Sequence, residues 1–172
     1  MRRFRLNALC SSTRAQTMSA SPTVHATCFV LDGRGILLRG ASGAGKSRIA
    51  LHFIETASAR GRQARLVGDD RVYLKPAEDR LIASVPASIA GLIERRATGL
   101  RDAGIERIDW QPSVPVGLVV DILDDDAEIA IPSKKIRHIR LKGVDLPYLP
   151  VPRDFQRAVA LIEAILPQLP PV

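Results

Sequence analysis

Between Gly40 and Ser47 the sequence reads GASGAGKS, which fits the pattern G-x-x-x-x-G-K-[ST]. Each residue type has a physical use there. Gly40, Gly43 and Gly45 let successive backbone amides turn inward on a phosphate without a β-carbon in the way, and Ala41, Ser42 and Ala44 lend further amides. The Lys46 ammonium can meet the β- and γ-phosphates of a nucleotide such as ATP. The Ser47 hydroxyl suits Mg²⁺. A helix starting at this point adds about half a positive charge at its N-terminus.

The loop needs an acid to complete it, and two places offer one. VGLVVDIL places Asp121 near the end of a long apolar run, the usual position of a metal-linked aspartate. RLVGDD places Asp69 and Asp70 after a shorter run. Neighbours on an extended strand point to opposite faces, so one of the pair could face the phosphates while the other holds the backbone or a metal-bound water. By pattern alone the choice between Asp121 and the pair stays open.

The elements around these residues supply the context that the loop requires. VHATCFVL (24–31) and ILLR (36–39) read as strands joined by a turn at Asp32-Gly33, a hairpin signal. After the loop, Ile49, Phe53 and Ala57 recur every four residues beside Ala50 and Ile54. That spacing gives a helix with one apolar face, stopped near Gly61. ARLVGDD (64–70) reads as a buried strand, and RVYL (71–74) and LIASV (81–85) as a hairpin. GLIERRATGLRDAGI (91–105), with its three glycines, reads as a structured loop, and VPVGLVVDIL (114–123) as the most apolar strand. Residues 127–152, with Pro132, Pro147, Pro150 and Pro152, give no clear element. Asp154 is placed to cap a last helix carrying Phe155, Val159, Ile162 and Ile165. PQLPPV (167–172) reads as a fraying tail.

The 172 residues suit one domain with a proper core, and 46% hydrophobic and 25% charged residues are ordinary globular values. No apolar run is long enough to span a bilayer. Cys10 and Cys28 are too few for a disulfide framework and lack metal-site spacing, which favours a reducing, cytoplasmic setting. The net charge is +7, but Arg2, Arg3, Arg5 and Arg14 lie in an acid-free stretch, residues 1–23. The remainder is unremarkable in charge, so nucleic-acid binding is not indicated. That stretch reads as a disordered basic extension or an over-long start with Met18 as the true one, with an organellar transit peptide as the competing reading. It lacks the apolar segment of a secretory signal.

Val24-His25, the GASGAGKS loop, LVGDDRV and GLIERRATGL, in this order and spacing, resemble the HPr kinase/phosphorylase family. More closely they resemble its short form, the catalytic domain alone, over about Val24 to Pro152. The resemblance implies a single α/β P-loop domain over residues 24–166, with a mixed central sheet and flanking helices, similar to phosphoenolpyruvate carboxykinase. It implies transfer of a phosphoryl group from ATP, with Mg²⁺, to a serine of the phosphocarrier protein HPr. It also implies removal of that group by inorganic phosphate, releasing pyrophosphate. Position by position, Lys46 resembles the loop lysine and Ser47 the Mg²⁺ ligand. Asp70 resembles the base for the serine proton, Asp69 its metal-linked neighbour, Glu94 a second metal ligand and His25 a histidine near the phosphates. This favours the Asp69–Asp70 pair over Asp121. A ring-like homo-oligomer, a hexamer, is implied too.

Two departures bear on phosphorolysis more than on nucleotide binding. The family segment runs Glu-apolar-Arg-Gly-x-Gly, whereas here Arg95 and Ala97 stand at the apolar and first glycine positions. Downstream, Lys134 and Lys135, with Arg137 beyond, stand where the family has an arginine, and lysine cannot copy a bidentate guanidinium. Arg95, Arg96 and Arg101 could form a solvated face or dock acidic groups. His52 and His138 read as surface or packing residues, and Cys28 as a small core residue. A small-molecule kinase on the same loop and a nucleotide-binding regulator without turnover are the competing functions.

Overall fold

A computed structural model describes residues 23–96, 103–124 and 136–171. Ten strands and two α-helices lie among them. The Asp32-Gly33 turn has positive φ at both residues, 50° and 82°, which fits a tight hairpin between β1 (Thr27–Leu31) and β2 (Arg34–Gly40). The loop follows β2 and leads into α1 (Lys46–Ala57), which ends through a 3₁₀ turn on Gly61 in the left-handed region. Then come β3 (Ala64–Gly68) and a hairpin of β4 (Tyr73–Ala77) and β5 (Arg80–Ser84).

The stretch read as a loop is a third hairpin, β6 (Leu92–Arg95) with β7 (Gly104–Arg107). Its glycines hid the strands, because only four residues of each are extended. β8 (Ser113–Leu123) is the long apolar strand. Residues after it that gave no clear element form β9 (Arg137–Leu141) and β10 (Val144–Pro152). Proline removes a ladder donor and argues against a central strand. β10 tolerates Pro147, Pro150 and Pro152 because each half has a ladder on one side only. Val144–Tyr148 pairs with β9, and Tyr148–Pro152 with β8. Asp154 caps α2 (Phe155–Ile165), its side chain accepting from the Arg157 amide at 2.8 Å. Leu166 and Leu169 beyond it are buried, and Arg34 donates to the Pro170 carbonyl at 2.6 Å, so the expected fraying at Pro167 does not occur there.

The main sheet runs β3-β1-β2-β8-β10-β9 and is mixed: β2, β8 and β10 are parallel, the rest antiparallel. Alternation along β2 and β8 divides the core. Ile36, Leu38, Leu118 and Val120 face the helices, with Ile49, Phe53 and Ile162. Leu37 and Val119 face the other way, toward Val72, Leu74 and Leu81 of the β4–β5 side. Phe29 stacks on Phe53 with centroids 5.5 Å apart. Cys28 is fully buried, and burial pushes its thiol pKa well up, consistent with a packing role. The C-terminal ends of the parallel strands β2, β8 and β10 lie together at one strand-end edge of the sheet, and the loop leaves from it.

Candidate active site

At that edge Gly40 approaches β8 so closely that a β-carbon would meet the Ile122 carbonyl oxygen at 2.9 Å. The loop therefore starts pinned to the sheet. It ends at Gly45, left-handed with φ 99°, from which the Lys46 and Ser47 side chains depart. Lys46 is 6% exposed, and its ammonium donates to the carbonyls of Gly40 and Ala41 at 3.0 and 2.9 Å. Burial lowers its pKa, while Asp69 and Asp70 both oppose that shift electrostatically. Both carboxylates thus act on the loop lysine.

Asp69 lies just past β3 and is 7% exposed. The β1–β3 ladder explains why it faces the loop. Phe29 pairs with Leu66, yet Cys28 pairs with Gly68, so Val67 is an extra residue and the register shifts. Continued outward, the shifted register sets Asp69 opposite Thr27 on the α1 face. Three groups donate to its carboxylate: Thr27 Oγ1 at 2.5 Å, Ser47 Oγ at 2.9 and 3.0 Å to the two oxygens, and the Glu94 amide at 3.0 Å.

Asp70 adopts φ 65°, and the Arg71 amide bonds back to the Asp69 carbonyl at 2.8 Å. This i to i+2 closure around a left-handed residue is a rare, strained γ-turn. It takes the Asp70 side chain out of strand alternation and to His25, whose Nε2 lies 3.1 Å from Oδ1. Both side chains remain substantially exposed. A carboxylate oriented by one neighbour and open to solvent can accept a proton from an arriving group.

Of the sequence-derived candidates, Lys46, Ser47, Asp69, Asp70 and His25 are brought together with the loop. Glu94 joins through its backbone amide, and its side chain is exposed. Arg96 reaches the loop as well: a β-carbon on Gly43 would lie 3.2 Å from its Nη2. Arg95 is committed elsewhere, to Glu55 of α1 and Glu106 of β7, each at 2.6 Å. It thus belongs neither to a solvated face nor to a free docking group. Asp121 sits within β8 and accepts a two-pronged bond from Arg39 at 2.7 and 2.6 Å, so it is an ion-pair partner. Ala97, Arg101, Lys134 and Lys135 lie outside the described residues. His52 packs between the Phe53 and Phe155 rings, and His138 is exposed. Thr27 went unnoticed in the sequence. The signal available was a lone hydroxyl inside an apolar run, since a buried hydroxyl needs a partner.

Among the described residues, no three His, Cys, Asp or Glu side chains form a metal cage. Ser47 and Asp69 do present oxygens within 3.0 Å of each other beside the loop. Mg²⁺ is usually held by one or two carboxylates with substrate phosphates and waters, so this donor set fits it.

The family model for the HPr Serine kinase C-terminal domain matches residues 16–169. The HPr kinase/phosphorylase of Caldanaerobacter subterraneus subsp. tengcongensis is 31% identical over 81% of this chain and 46% of its own length. That of Lactococcus lactis subsp. lactis is 26% identical over 92% of this chain and 51% of its own. The chain therefore spans about half the length of these curated relatives. Among solved structures, the HPr(Ser) kinase/phosphatase from Coxiella burnetii superposes with a TM-score of 0.66 at 27% identity, covering 85% of this chain and 94% of that one. No helix among the described residues is long and apolar enough to cross a membrane.

Proposed function

This chain belongs to the HPr serine kinase C-terminal domain family, and on that premise we propose that it transfers the γ-phosphoryl group of ATP to a serine hydroxyl of HPr. The observation that carries this reading is the Asp70 carboxylate, turned aside just after β3, held 3.1 Å from His25 and felt electrostatically by Lys46. A phosphate loop alone would serve many reactions. A positioned, exposed carboxylate beside it serves an incoming alcohol.

Phosphoryl transfer asks a protein mainly for positioning and charge neutralisation. The loop amides and Lys46 hold the β- and γ-phosphates, for which the ammonium exchanges its two carbonyl acceptors. Ser47 and Asp69 would hold Mg²⁺, which offsets phosphate charge when bound. Asp70 accepts the serine proton as the serine oxygen bonds to the γ-phosphorus. The bond from that phosphorus to the bridging oxygen breaks, and its electron pair leaves with ADP. His25 orients the Asp70 carboxylate. In the reverse direction an oxygen of inorganic phosphate bonds to the phosphorus of phosphoserine, the bond from that phosphorus to the serine oxygen breaks with its electron pair on serine, Asp70 returns the proton to that oxygen, and pyrophosphate departs. Arg95 stands at an apolar position of the family segment, but its charge is absorbed by Glu55 and Glu106, so it need not disturb either direction. We extend the reading to a ring-like homo-oligomer working in the cytoplasm.

The test is incubation with ATP, Mg²⁺ and HPr, followed by mass measurement of HPr. One added phosphoryl group is expected from the wild type and none from Lys46→Ala. HPr left unmodified by active, folded wild-type protein overturns the acceptor. Transfer surviving in Lys46→Ala overturns the site. Incubating phospho-HPr with phosphate and assaying pyrophosphate tests the second direction.

A further inference from the structure

We infer that Thr27 is a positioning residue for Asp69, and that its hydroxyl sets how tightly the site holds Mg²⁺ together with a nucleotide. The inference rests on Ser47 and Asp69 taking the metal, as proposed above. It does not depend on which hydroxyl receives the phosphoryl group.

Thr27 is fully buried in β1 between Ala26 and Cys28, which are also fully buried. A hydroxyl there costs stability unless it is bonded, and this one is spent on a single carboxylate oxygen, Asp69 Oδ1, at 2.5 Å. That length is in the range of charge-assisted O–H···O⁻ bonds, roughly twice as strong as neutral ones. The Val67 bulge is what makes the bond possible, because an unbroken register would set Thr27 against Gly68. A bulge beside a site commonly re-aims a side chain in this way.

The geometry around the carboxylate gives the hydroxyl its purpose. Thr27 holds Oδ1 from one side, and the Glu94 amide holds Oδ2 from β6. Ser47 Oγ bonds both oxygens. Two strands therefore fix the carboxylate while Ser47 shares it. A cation arriving at the Ser47 oxygen competes for that hydroxyl, and an unfixed carboxylate could rotate away from it. With Oδ1 and Oδ2 each tied to a strand, Asp69 stays in register with Ser47. Groups that orient metal ligands typically matter 10- to 100-fold in metal affinity (about one to two decades). Valine has the shape and β-branching of threonine without the donor, so Thr27→Val removes the bond and little else.

The experiment titrates a fluorescent ATP analogue into the full chain over a range of Mg²⁺ concentrations and again with EDTA. Thr27→Val is expected to raise the Mg²⁺ concentration for half-saturation about 10- to 100-fold, with metal-free nucleotide affinity unchanged. Thr27→Ser, which keeps the donor, is expected to restore the wild-type Mg²⁺ dependence. Should Thr27→Val fail to fold, Thr27→Cys, with its weak S–H donor, takes its place and is expected to shift the dependence partway. A wild-type Mg²⁺ dependence in Thr27→Val, with only thermal stability lowered, overturns the inference: the hydroxyl would then be structural. Equal losses with and without metal also overturn it. So does a wild type whose nucleotide binding ignores Mg²⁺, which would remove the metal role of Ser47 too. None of these readouts uses HPr, so failure to phosphorylate HPr overturns the acceptor and leaves this result standing.

Discussion

The γ-turn at Asp70 holds a non-glycine residue at φ 65° and points its carboxylate at His25. Asparagine tolerates that backbone and keeps the shape, but it cannot take a proton. Asp70→Asn should therefore fold and bind nucleotide normally while phosphoryl transfer falls by about 10²- to 10⁴-fold, the usual worth of a positioned base. Normal turnover in Asp70→Asn would remove Asp70 from the chemistry. Asp121 gives the contrasting case. Its carboxylate is spent on Arg39, and both side chains are largely buried. Asp121→Asn should lower stability by about 1–3 kcal/mol in urea unfolding, with the Mg²⁺ dependence of nucleotide binding unchanged. Sequence could not separate these aspartates by pattern, because both follow apolar runs. What separates them is a partner far along the chain: Arg39 for one, Ser47 and Thr27 for the other. The loop itself was legible from eight residues, since its function is carried by its own backbone and side chains.

Among the elements, those that place the chemistry were the hardest to foresee. The strand–loop–helix unit shows local periodicity, and β1, β2, α1, β3 and β8 fall where the pattern expects them. The β3 bulge has no local signature, because whether Val67 is extra depends on what pairs with Cys28 and Phe29. The β6–β7 hairpin is short and glycine-flanked, and β10 carries prolines that only its one-sided ladders permit. Arg95 shows how such an element is held. Its guanidinium reaches Glu106 within the hairpin and Glu55 on α1, tying β6 to the helix that starts at the loop. Replacing it should cost only about 1 kcal/mol, since both carboxylates are partly solvated. The local effect should be larger. In Arg95→Ala, amide hydrogen exchange is expected to speed up at Leu92–Arg95, including the Glu94 amide that binds Asp69, with β8 unchanged. Uniform protection across the hairpin in that variant would show that the backbone ladder alone holds it.

Across the whole molecule, chemistry and fastening occupy the two opposite strand-end edges of one sheet. Thr27, Gly40 and Gly68 end or begin their strands at the loop edge, beside Asp69 and Asp70. At the far edge the Asp32-Gly33 turn meets the C-terminal segment. There Arg62 pairs with Asp32 at 2.7 Å, Arg60 pairs with Glu163, and Arg34 reaches the Pro170 carbonyl at 2.6 Å. Exposed ion pairs of this kind contribute little. The fastening must come from apolar burial, and Leu166 and Leu169 supply it, at 9% and 8% exposure against the helix-side core. Leucine-to-alanine changes in a core cost about 2–5 kcal/mol, with peripheral sites at the low end. Leu169→Ala should therefore lower stability by about 2 kcal/mol in urea unfolding. The site is at the other edge, so Mg²⁺-dependent nucleotide affinity at low temperature should match the wild type, since distant sites act additively. A Leu169→Ala protein with full stability would make the last turn an ornament on the fold. One with lost affinity at full folding would mean that the two edges are coupled through β1 and β2, the strands that join them.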